Sequence, residues 1–182
     1  MTASNSPGRM LGYFGAVWGI AGIAALLAYA AWRLAGVAAA AWDHDFYLYH
    51  WLVLAAHVAF MAWSEGYRGF QQSFSPRIVA RAKYLIAHPR LAHVLLAPLF
   101  CMGYFRTTRR RMISVYALTV FIVLLIIAVR WLPQPWRGIV DAGVVVGLSW
   151  GLISIGAFIL KALTADDYPY APEVPEGVGA AG

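Results

Sequence analysis

An all-α membrane protein is predicted for this chain: four transmembrane helices, with five as the alternative, plus a cytoplasmic amphipathic helix and a short re-entrant or interfacial apolar segment. Three observations predict it. Of 182 residues, 62% are hydrophobic and 12% charged, whereas a soluble domain carries about a quarter charged residues. Several uncharged runs approach the roughly 20 residues needed to cross a hydrocarbon core of about 30 Å. Nine of the fourteen Lys and Arg residues fall between Glu65 and Arg111, an asymmetry from which the positive-inside rule reads orientation.

The first predicted span covers residues 10–32, a run of 23 residues without charge. It is too long, and too weakly preceded by charge, for a cleaved signal peptide, although Ala28-Tyr29-Ala30 resembles a small-residue cleavage site. Gly12, Gly15, Gly19 and Gly22 recur along it, and Gly15 with Gly19 forms the GxxxG pair that lets another helix backbone approach closely. Asp45 is the predicted N-cap of a second span, residues 46–63, because a carboxylate accepts from the free N–H groups of a helix start. Aromatic residues cluster at both its ends, as interfacial belts do.

A basic segment, 64–112, follows. Ser75-Pro76 predicts a helix start. From Arg77 to Ile86 the apolar side chains recur at helical spacing while Arg77 and Arg81 share another face, the pattern of a helix lying among headgroups. His88-Pro89 ends it. Residues 91–105 are apolar but too short to cross, are interrupted by Pro98, and are flanked by positive charge on both sides, so they read as re-entrant or interfacial. Spans at 113–129 and 138–160 close the bundle, the last with Gly143, Gly147 and Gly151 at four-residue spacing. The acidic, proline-rich tail, 164–182, reads as disordered, with the basic surface as a place against which it could fold. Arg, Ala and Gly usage suggests a bacterial chain, and the charge count then predicts a bacterial inner (plasma) membrane location with both termini cytoplasmic.

Two sets of residues carry candidate chemistry. His50 and His57, seven apart, share a helix face that Ser64, Glu65 and Arg68 continue as a polar stripe. The stripe has three readings: histidines bonding a neighbouring helix, a haem b or metal ligand for which His93 is the obvious but out-of-register partner, or a proton or ion path through Glu65, His57 and His50. The first is preferred, so neither cofactor nor metal is predicted and haem b remains the alternative. The second set, Arg77, Arg81, Lys83, Arg109, Arg110 and Arg111, predicts an anionic-lipid-binding face.

Arg137 and Asp141, four apart, read as an interfacial helix pair, and Glu65 with Arg68 as another ion pair. No phosphate-cradling glycine loop follows a strand, no GxSxG elbow stands at a strand-to-helix turn (the letters at Gly147–Gly151 fall inside the apolar run 138–160), HExxH and paired cysteines are missing, and the single Cys101 excludes an internal disulfide. The expectation is a non-enzymatic accessory or scaffold protein whose partners are membrane, anionic lipid and a protein or a second copy, not nucleic acid. Its glycine ridges, Gly15–Gly19 and Gly143–Gly147–Gly151, are expected to pack a bundle or homo-oligomer.

Overall fold

The computed structural model describes residues 7–165 and 167–174. Every regular element among them is helical: α1 (Pro7–Ala39), α2 (Leu48–Met61), α3 (Ser75–Ala87), α4 (Leu91–Leu95), α5 (Ala97–Met102), α6 (Arg109–Val129) and α7 (Trp136–Thr164). A 3₁₀ turn, Ala40–Asp43, extends α1, and a π-helical segment, Ala62–Phe74, joins α2 to α3. Three helices are long and apolar enough to cross a membrane: Gly8–Asp43, Arg109–Val129 and Trp136–Thr164.

The second predicted span differs from expectation. Its α-helical part has 14 residues, which rise only about 21 Å, and the chain continues as helix from Leu48 to Ala87 through the π-helical turns. The helix starts after Tyr47 rather than at Asp45, and His50 accepts the Tyr47 N–H at Nδ1, 3.1 Å, in place of a carboxylate cap. Ser75-Pro76 marks no new start either. It is the point where π geometry returns to α, which suits a proline that has no N–H to give to an earlier carbonyl.

First and last long helices form the central seam. Ile23 of α1 and Ile155 of α7 share one buried cluster with Ile78, Ala82 and Leu85 of α3 and with Val94, Ala97, Phe100 and Cys101 of α4 and α5. Gln134 fastens the seam at its far end, donating to Val37 O at 3.3 Å and accepting from Gly138 N at 3.0 Å. Residues 91–105 form two helices of five and six residues, too short to cross. Leu96 breaks them, Pro98 enters the second, and Gly103 ends it at φ 87°, a conformation glycine adopts without steric cost. Their seat is the glycine face of α1. A Cβ on Gly15 would meet Leu85 and Val94 at 2.9 Å, one on Gly19 would meet Cys101 Sγ at 2.9 Å, and one on Gly22 would meet Pro98 at 2.8 Å.

The α3 helix is corrected from a surface helix to a core one. Ile78, Val79, Ala80, Arg81, Ala82 and Leu85 are all buried, so its apolar stripe meets α1 and α7 while its arginine face meets α5. In contrast, α6 carries no buried residue. It touches the chain near its first three turns, where Tyr104 Oη lies 2.7 Å from Thr119 Oγ1 and the Thr119 hydroxyl itself donates to Val115 O. The tyrosine is therefore the donor.

Candidate functional site

Three of the six predicted basic residues converge at one place. Arg77 and Arg81 stand one turn apart on α3, Arg111 lies in the first turn of α6, and Thr107 precedes that helix; together with Gly103, Pro172 and Glu173 they line a cavity of about 20 Å³. That is room for one water.

Arg81 is its floor and differs most from expectation. It is 3% exposed, and four of its five N–H donors are engaged: Nε by Phe100 O at 2.7 Å, Nη1 by Pro172 O at 3.0 Å, and Nη2 by Phe105 O at 2.9 Å and Arg106 O at 3.2 Å. The guanidinium also lies 4.3 Å from the Phe100 ring centroid, a cation–π contact strengthened by exclusion of water. The side chain therefore caps the carbonyl end of α5 and the loop beyond it, where a cation complements the helix dipole. Of the residues predicted to bind lipid, Lys83, Arg109 and Arg110 are exposed, Arg77 and Arg111 half-buried, and Arg81 is an interior anchor.

Burial pushes the Arg77 and Arg81 guanidinium groups below the usual arginine range, and Glu173 partly offsets this for each. Both remain cations, since arginine does not deprotonate in proteins. Arg77 Nε is buried without a partner among the described residues. The carboxylate of Glu173 approaches Arg111 Nε at 3.9 Å, and the Glu173 carbonyl accepts from Thr107 at 3.4 Å. Arg106 and Glu173, the two non-glycine residues with positive φ among those described (53° and 49°), both belong to this site. Such backbone costs energy and persists where its surroundings hold it.

The tail thus joins the site. Beyond Thr164, where the sequence predicts disorder, residues 167–174 lie along the bundle: Tyr168 donates to Pro76 O at 2.9 Å, Lys83 sits over the Tyr168 ring, and Lys161 over the Tyr170 ring. Residues 175–182 fall outside the described residues. Tyr168 and Tyr170 were the available signal, because aromatic side chains are sparse in segments that stay disordered.

Sequence reasoning treated the polar stripe and the glycine ridge of α7 as separate features, and the structure joins them. A Cβ on Gly143 would strike the His57 ring, one on Gly147 would meet Glu65 Oε2 at 2.6 Å, and one on Gly151 would meet Phe70 at 2.7 Å. His57 Nε2 reaches Val140 O at 3.2 Å, so the ring donates across the helix interface. This geometry fits the packing reading. His50 instead closes the start of α2, 3% exposed among the Phe46, Tyr47, Tyr49 and Trp136 rings. His93 is 8% exposed and stacks on Phe100 at 5.0 Å. The three imidazoles thus serve three different surroundings, and no group of three or more potential metal ligands occurs among the described residues. Arg68 does not pair with Glu65; it lies over Trp63 at 5.1 Å. Glu65 Oε2 is buried without a partner among the described residues. The expected Arg137–Asp141 pair forms, at 3.8 Å.

The chain matches no family model, no curated protein and no solved structure. Residue geometry alone therefore supports the functional reading.

Proposed function

We propose that this is a non-enzymatic accessory or scaffold protein of a bacterial inner membrane, which holds the phosphate of an anionic lipid on the arginine cluster of α3 and α6. The convergence of Arg77, Arg81 and Arg111 around Thr107 carries the reading. Guanidinium groups recognise phosphate oxygens through paired, charge-assisted hydrogen bonds. Two further observations support it. The first turn of α6 holds Arg109, Arg110 and Arg111, against the preference of a helix N-terminus for negative charge, so an external anion there relieves a local conflict. The apolar run of α6 begins directly after Arg111, is 0% buried and, over residues 112–129, rises about 27 Å, close to a hydrocarbon core of about 30 Å. That supports a headgroup depth for its arginines. The same charge asymmetry favours a cytoplasmic position for this end.

The test is lipid retention by the purified full-length chain in mixed phosphatidylglycerol–phosphatidylcholine nanodiscs. Enrichment of phosphatidylglycerol that falls with added salt, and falls with charge reversal at Arg77 and Arg111, is expected. Equal retention of the two lipids would sink the proposal. A second reading, proton or ion movement, has one specific support, the unpartnered buried oxygen of Glu65 beside Gly147. Liposome flux abolished by Glu65→Gln would raise it above the first.

A further inference from the structure

Three donors of the arginine site are now taken by the chain itself. Arg81 Nη1 gives its hydrogen bond to Pro172 O, Thr107 gives its own to Glu173 O, and Arg111 faces the Glu173 carboxylate. These partners are backbone carbonyls and a carboxylate, oxygens that present negative charge much as phosphate oxygens do. The remaining cavity, about 20 Å³, admits a water but not a phosphodiester. A headgroup can meet Arg77, Arg81 and Arg111 together only where residues 172–173 have withdrawn.

Resting on the lipid reading above, we propose that Pro172 and Glu173 are an intramolecular stand-in for the phosphate of an anionic lipid, so that headgroup and tail exclude one another. The contacts of the tail suit an exchangeable occupant. The Glu173 side chain is 41% exposed, the Arg111 pair is long at 3.9 Å, and exposed pairs contribute little net energy. Tyr168 Oη on Pro76 O holds the tail from outside the cavity, which gives a handle on the tail that leaves the arginines untouched. Withdrawal releases Arg81 Nη1, Thr107 Oγ1 and Arg111 Nε beside the already unpartnered Arg77 Nε. That set has the number and charge to surround one phosphate.

The experiment titrates the full-length, detergent-solubilised chain with dihexanoylphosphatidylglycerol below its micelle concentration, with dihexanoylphosphatidylcholine and inorganic phosphate as parallel arms. Glu173→Gln and Tyr168→Phe should each tighten phosphatidylglycerol binding about two- to fivefold, the worth of one exposed polar contact. Arg111→Gln should weaken it about tenfold, with or without Glu173→Gln. Unchanged affinity in both tail variants, with Arg111→Gln still weakening binding, overturns the exclusion and leaves the lipid site standing. Arg111→Gln without effect in either background removes the lipid site and this inference with it. Inorganic phosphate binding as tightly as the lipid overturns the headgroup assignment in favour of the free anion.

Discussion

Arg81 was visible in the sequence as a charge and invisible as an anchor, because periodicity places a residue on a helix face without saying what that face meets. Its pairing with Arg77 on one face was legible; the carbonyls of Phe100, Phe105, Arg106 and Pro172 that turn the face inward are set by tertiary structure. Replacing it with Met keeps much of the volume but strands buried acceptors, so the loss should be about 3–5 kcal/mol, and Arg81→Lys should recover only part, since an ammonium lacks the planar fork. Thermal unfolding in detergent checks this; Arg81→Met within about 0.5 kcal/mol of wild type contradicts the anchor role. His93 gives a pH dependence. Burial, then Arg106, Arg90 and Arg81, lowers its pKa, so the unfolded chain binds the proton more readily than the folded one. Its contribution holds above about pH 6.5, the usual His value, and stability declines as pH falls from there through the depressed folded value. In His93→Gln this part of the acid-side decline should be missing from a series of melting temperatures; an unaltered profile refutes it.

At the scale of elements, both glycine ridges were legible, and their destinations were not. A ridge announces a close neighbour, and here the neighbours lie within the chain: α3, α4 and α5 on α1, and α2 with the π-helical segment on α7. Both ridges are filled within the chain. The π-helical segment is hidden in the sequence because apolar periodicity is legible as helix only at 3.6 residues per turn. In an α-helix, residues five apart point about 140° away from each other, whereas π turns bring them near one face. Glu65 and Phe70 meet successive glycines of α7 that way, and Gly66 and Gln71 both meet Trp150, the latter through a 2.9 Å bond from Nε1. Glycine positions then rank by what stands opposite. An added methyl at Gly12 would meet the Ile86 backbone, its carbonyl oxygen at 2.7 Å, which cannot rotate aside, so Gly12→Ala should cost about 1–3 kcal/mol. Gly36 has nothing within 4 Å, and Gly36→Ala should stabilise by up to about 1 kcal/mol. Equal effects of the two in a denaturation series would show that these approaches do not govern stability.

For the whole molecule, the all-helical membrane class was legible from composition and run length, and it is what the three long apolar helices support. Less legible was the division of labour among equally apolar segments. Leu85 and Leu124 look alike in sequence, yet Leu85 is 0% exposed in the core and Leu124 is 60% exposed on a helix with no buried residue. Leu85→Ala should cost about 2–5 kcal/mol, while Leu124→Ala should remain within about 0.5 kcal/mol because lipid covers that side chain in either case. A matched pair of unfolding curves in one detergent decides it, and a large loss at Leu124 would mean that α6 packs against the bundle.

The seam between α1 and α7 also constrains how the molecule is made. Ile23 emerges from the ribosome 132 residues before Ile155, and the last acceptor for Arg81, Pro172 O, is later still. Before α7 is made, the glycine groove of α1 has only α3 to α5 to fill it, and Arg81 Nη1 lacks its acceptor. Until α7 arrives, the nascent chain is thus a half-built bundle with the apolar flank of α1 exposed, the kind of surface that makes partly folded species prone to association.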